Sequence, residues 1–275
     1  MTTREAARGE NRKPLIVCAD DFGMNAGANR GILDLAALGR LSATSCLVDG
    51  PAFKAGATAL RDTSLQKGLH LNFTDDLGQP GLQMPLKPLI RSAFLYRLDT
   101  AQIRAQIVRQ LDLYELIMGE APDYVDGHLH VHQLPQIRDE LLFEVVRRYG
   151  AKPGFWIRST VARAHPDLPL GMRLKARIIQ RLGGRALEKL AGQNGISTNP
   201  GFLGVYNFQG GGKTYANYMA GWLKAAQAGD VLMCHPERFH PEDNRIDPQR
   251  NAEFDVLAGD MFMRYLNRYG LCVKV

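Results

Sequence analysis

The stretch Leu15-Ile16-Val17-Cys18-Ala19-Asp20-Asp21-Phe22-Gly23 decides how this chain is read. Its first four residues form a continuous apolar run, the mark of a strand buried on both faces. Two carboxylates and a glycine close it. Doubly buried strands belong to parallel sheets covered by helices, and the rest of the sequence supplies the alternation such a sheet needs.

Working outward, apolar spacing predicts a helix over residues 25–38 with Asn25 as its N-cap. A second strand spans 42–48, ended by Asp49-Gly50-Pro51, and a short helix follows it. A third strand spans 67–73. Residues 74–93, rich in Gly and Pro, read as a loop over the site. Helices are expected over 100–118, 136–149, 172–190, 214–228 and 252–269, and strands over 124–131, 155–158, 230–234 and 271–275. Strands separated by helices imply parallel pairing with right-handed crossovers, in a sheet either open or closed into a barrel. No linker or repeat divides the chain, so one domain over 13–275 is expected, preceded by a disordered tail over 1–12.

The composition allows a large core: 45% of the 275 residues are hydrophobic and 23% charged. Cys18, Cys46, Cys234 and Cys272 form no C-x-x-C pair and read as reduced thiols of a cytoplasmic protein. No signal-peptide core precedes the first strand, and no apolar run approaches the ~18 residues of a membrane span. The net charge of +6 points to an anionic partner without naming one.

Two further clusters end strands as Asp20-Asp21 does: Gly68-Leu69-His70-Leu71-Asn72 and Asp126-Gly127-His128-Leu129-His130-Val131-His132. Arg158 and His235 also follow strands. In parallel α/β folds, active sites gather beyond these strand ends. Carboxylates and imidazoles placed there suit a divalent metal with an open position, which polarises a carbonyl and activates water. A metal-dependent hydrolase is the reading that follows.

Adjacent side chains on a strand face opposite ways, so Asp20 and Asp21 share a site only if the strand bends, as Gly23 permits. One would then ligate metal and the other act as general base; the alternative is a pair capping a turn. His70 is either a ligand or a hydrogen-bonded core histidine. His128, His130 and His132 share one face if their strand persists, ~6.6 Å apart, too far for all three to bind one ion. One or two would ligate, and the others contact substrate or orient a ligand. His235 either protonates a leaving amine or alkoxide or is a plain surface histidine. Arg158 either tunes a catalytic carboxylate or forms a structural ion pair. The run Asn207-Phe208-Gln209-Gly210-Gly211-Gly212-Lys213-Thr214 brushes the P-loop pattern but lacks its first glycine and reads as a flexible active-site loop or a plain turn. Residues 172–190 form a basic amphipathic helix, packed on a core or lying on an anionic membrane.

Taken in order, the Asp-Asp-Phe-Gly motif, His70, the His-x-His-x-His run and Cys234-His235-Pro236 resemble the YdjC family, also called the ChbG/HpnK family of carbohydrate deacetylases. The resemblance implies a distorted (β/α) barrel like that of polysaccharide deacetylases, with mostly parallel strands. It implies removal of the N-acetyl group from an amino sugar, with release of acetate. By the family pattern Asp21, His70 and His128 hold the metal, Asp20 is the base and His235 the acid; Arg158, from its own position at a strand end, is counted with the catalytic residues. Asn72, His130 and His132 are assigned to substrate contact. Substrates in the family include chitin oligosaccharides and N-acetylglucosamine on hopanoid lipids. Leu129 stands where members often have a polar residue or His. Members use Zn2+ or Mg2+, and two histidines with one carboxylate suit zinc better. The expected partner is an amino sugar, lipid-linked forms included, met in the cytoplasm or at the inner membrane face, with no nucleic acid. A metal phosphoesterase and a non-catalytic sugar- or lipid-binding module are the competing readings.

Overall fold

The computed structural model describes residues 12–243 and 247–274. All but the last residue of the expected tail, and Val275 of the expected final strand, lie outside them. β1 (Lys13–Phe22) is the spine of the sheet, buried from Leu15 onward. It is followed by α1 (Ala26–Ala37), β2 (Ala43–Cys46), α2 (Phe53–Arg61) and β3 (Gln66–Leu71). Next come α3 (Leu86–Phe94), α4 (Thr100–Met118), β4 (Tyr124–Gly127), α5 (Ile137–Tyr149) and β5 (Trp156–Ile157). Then follow α6 (Leu170–Ile179), α7 (Arg185–Gln193), β6 (Ser197–Thr198), β7 (Phe202–Leu203) and α8 (Gly211–Ala225). The chain continues through β8 (Val231–Cys234), α9 (Pro248–Ala258), α10 (Asp260–Arg268) and β9 (Leu271–Val273).

Every strand pairing is parallel, in the order β6-β5-β4-β3-β2-β1-β8-β7, with β9 beside the start of β1. The backbone after β5 bonds to β7 through Phe202 N–H to Val161 O and Arg163 N–H to Phe202 O. This curls the sheet into the expected distorted (β/α) barrel. The caps follow local chemistry: Asn25 accepts from Ala28 N–H, and Asp247 caps α9 with Pro248 in its first turn. Of the four cysteines, three are buried and none is paired. Among the described residues, no helix is long and apolar enough to cross a membrane.

Three of the loop and helix expectations change. Residues 74–93 are not all loop: α3 forms there, because Pro88 is tolerated in a first turn and Leu89 and Ala93 find a buried face. Residues 172–190 are not one helix, since a π turn at Gln180–Gly184, with Gly183 at φ 149, separates α6 from α7. Residues 252–269 likewise divide at Gly259 into α9 and α10. The short strands β6 and β7 carry too few residues for a period to be read.

Candidate active site

Strand register places the site. Ala19 pairs with Cys234, so Asp20 and His235 leave β1 and β8 at the same level. His70 pairs directly with Asp126 across β3 and β4. Val125 pairs with Ile157, so Asp126 and Arg158 emerge side by side. These groups meet at the C-terminal end of the sheet, around a cavity of about 530 Å³.

Asp20 and Asp21 both line this cavity. The bend that the sequence demanded falls on Asp21 itself, at φ 71, where the β1–β2 register shifts between Ala19 and Phe22. Asp21 Oδ1 lies 3.0 Å from His128 Nδ1 and 3.5 Å from His70 Nε2. Its Oδ2 accepts from Arg250 at 2.6 Å. Burial opposes charge on Asp21, but His128 and Arg250 outweigh it and hold the carboxyl well below its usual range. His70 Nδ1 meets Asp126 Oδ1 at 2.5 Å, which leaves Nε2 turned toward Asp21.

Arg158 is fully buried beneath the site rather than lining it. It grips Asp20 with two hydrogen bonds of 2.6 Å and Asp126 with one of 2.6 Å. Against the cost of burial, Arg158 and then His70 keep Asp20 ionised far down the acid range. His235 Nε2 stands 3.9 Å from Asp20 Oδ2 and packs edge-on against Phe208. Burial lowers its imidazole to about 4.

The donor atoms of Asp21, His70 and His128 lie within 4.8 Å of one another, all buried. That donor set fits a divalent cation: one carboxylate oxygen, two imidazole nitrogens and a cavity beside them for a further ligand. Asp20, His70 and Asp126 are equally close. Their carboxylates, however, already accept from Arg158 and Ser45, so this second grouping is the weaker site.

The histidine run is a correction. β4 stops at Gly127, and His128–Gln133 forms a tight 3-10 turn with Leu129 and His130 in left-handed conformations (φ 51 and 61). The period-two reading therefore fails, and the three imidazoles part company. His128 faces Asp21. His130 lines the cavity, its Nδ1 without a partner among the described residues. His132 is buried away from the cavity and donates from Nε2 to Arg158 O at 2.9 Å. Asn72 does not line the cavity either. Its amide accepts from Thr74 N–H and Asp75 N–H and folds the turn that brings Asp75 Oδ2 to 3.3 Å from His128 Nε2.

Some partners were not singled out from sequence. Asp126 stood in a quoted cluster at a strand end, and that position was the available signal. Arg250 on α9, and Glu253, which accepts from His235 N–H at 2.7 Å, carried none. Burial pushes the Glu253 carboxyl up to about 7.

The family profile of YdjC-like proteins matches residues 14–268. The chain belongs to the YdjC-like family. Within reach of this YdjC-like chain is a Homo sapiens carbohydrate deacetylase, 29% identical over 154 residues, a match covering 51% of this chain and 47% of the relative. A chitooligosaccharide deacetylase of Salmonella paratyphi B is 34% identical over 173 residues, covering 58% and 65%. The YdjC-like chain thus spans about half to two thirds of the length of these curated relatives. A crystal structure from Enterococcus faecalis V583, described as a candidate cellobiose-phosphate cleavage protein, superposes with TM-score 0.67 at 17% identity. It covers 96% of this chain and 97% of its own, a likeness of fold.

Proposed function

We propose that this YdjC-like protein is a metal-dependent N-deacetylase of N-acetylated amino sugars. One observation carries the reading: a buried Asp21–His70–His128 donor set flanked by Asp20 and His235 at one cavity. The relatives named as carbohydrate and chitooligosaccharide deacetylases supply the substrate class. Residues 13–275 are proposed to act as one unit.

A divalent cation held by Asp21, His70 and His128, zinc suiting the set better than magnesium, would polarise the acetamide carbonyl and lower the pKa of a bound water. Asp126 orients His70 by holding its Nδ1, as carboxylates behind metal-binding histidines do. Asp20, fixed as an ionised carboxylate by Arg158, is the base that accepts the water's proton. His235 rests neutral, so it must gain a proton before giving one up. Asp20, 3.9 Å away, would pass it the proton taken from the water, after which His235 would protonate the departing amine. His130 lines the cavity and, with His128 taken by the metal, is read as the histidine of the run that touches the sugar. The sugar's carrier, soluble oligosaccharide or lipid, is left to the substrate panel.

The test is acetate release from N-acetylglucosamine compounds, soluble and lipid-linked, by apo, zinc-loaded and magnesium-loaded protein. Metal-dependent acetate release supports the reading. Phosphate release from phosphoesters without acetate release would replace it with a phosphoesterase, and sugar binding without turnover would replace it with a binding module.

A further inference from the structure

A second cavity, of about 500 Å³, lies between residues 162–166 and the face of α6 and the π turn after it. It is lined by Arg163, Arg173, Arg177, Arg181 and Arg185. Asp230 neutralises Arg163. The nearby acid Asp167 is taken by Lys224. Residues 168–187 contain no acidic side chain, and among the described residues the other four arginines have no carboxylate partner. Four guanidinium groups thus converge on a hollow with no counter-charge among the described residues. Like charges repel, so the arrangement suits anions supplied from outside, which Arg binds well as phosphate.

The same helix bears an exposed apolar row. Met172 and Ala176 face the core, whereas Leu170, Leu174 and Ile178 are 72%, 51% and 49% exposed. These recur at i, i+4 and i+8 and so form one stripe; Arg173, Arg177 and Arg181 form the stripe beside it. Lys175 and Ile179 of α6 also line the catalytic cavity. α3, which lends Ile90 to that cavity, repeats the composition, with exposed Phe94, Leu95 and Tyr96 near Lys87, Arg91 and Arg97.

We propose that α6 and its arginine-lined hollow dock the protein on an anionic lipid bilayer. Leu170, Leu174 and Ile178 enter the acyl boundary, and the arginines take lipid phosphates. A free phosphate would account for the arginines but leave the apolar row exposed. A second copy paired through α6 would set unneutralised arginines against their own kind. Docking brings the rim of the catalytic cavity to the bilayer. That a lipid-carried amino sugar is then within reach rests on the deacetylase reading; the docking does not.

The experiment is co-sedimentation of the full chain with phosphatidylcholine vesicles, with and without phosphatidylglycerol. Binding is expected to the anionic vesicles and to weaken with salt. L174S/I178S and R177E/R181E should each lower the partition at least about ten-fold while circular dichroism, Tm and metal content hold. Variants that bind like the parent would overturn the proposal. So would inorganic phosphate binding with no vesicle binding, or a dimer in sedimentation that L174S/I178S dissolves. Acetate release from a soluble chito-oligosaccharide, run alongside, should be unchanged in the variants. Its absence from every protein would remove the deacetylase reading and leave the vesicle result standing.

Discussion

At Asp21 the backbone turns to φ 71, and this left-handed residue lets two adjacent carboxylates reach one cavity. Such a conformation costs about 1–3 kcal/mol in a non-glycine residue and persists where surrounding bonds over-determine it. Here His128 and Arg250 do so. The roles then divide by partner. Asp21 faces two imidazoles, and Asp20 faces a guanidinium. Asp20→Asn keeps the shape but removes the proposed proton acceptor, so turnover should fall at least about 100-fold with metal content unchanged. Near-full acetate release by a metal-loaded variant would take Asp20 out of the base role. For His128, burial disfavours the charge, but Asp21 and then Asp75 outweigh it and raise the imidazole to about 10 in the metal-free protein. A cation bound through His128, as proposed, would have to displace that proton. Affinity should therefore rise with pH up to about 10, by about ten-fold per unit where one proton is displaced. Calorimetry at pH 7.5 in buffers of different ionisation enthalpy checks this; heats independent of buffer would remove His128 from the ligand set.

Among the elements, the turn at His128–Gln133 departs most from its sequence pattern. Alternating histidines after an apolar strand look like more strand, and nothing local announces that Leu129 and His130 go left-handed. The turn is held from outside. Gly183, in the π turn between α6 and α7, packs on it so closely that a Cβ would sit 2.0 Å from Gln133 O. Its φ of 149 also excludes an L side chain without strain. Gly183→Ala should cost upwards of about 2 kcal/mol, read as a lower urea midpoint. It should also weaken metal binding, because the displaced turn carries His128. A variant with unchanged metal affinity would show that the two turns are not coupled.

For the molecule as a whole, Arg158 ties the barrel together beneath the site. From the end of β5 it reaches Asp20 of β1, Ser45 of β2 and Asp126 of β4. Arg158→Leu would leave two buried carboxylates without their cation, at a cost of about 3–5 kcal/mol. Urea unfolding should show the larger loss at pH 7 and a smaller one at pH 4. Without Arg158, burial makes the Asp20 carboxyl bind its proton more readily, so acid relieves the variant. An equal loss at both pH values would make the effect one of packing alone.

The sequence by itself determined the class of fold, because a doubly buried apolar run and helix-strand alternation are local patterns that survive without tertiary contacts. It determined which residue types could do the chemistry, since Asp20, Asp21, His70, His128 and His235 all stand at strand ends. It did not determine which histidine turns where, or that Asn72 and His132 serve the scaffold. It also left Asp126, Arg250 and Glu253 unassigned. Those choices depend on register between strands far apart in the chain, and on left-handed residues held by distant contacts. Their energies exist only once the sheet has curled and brought the partners together.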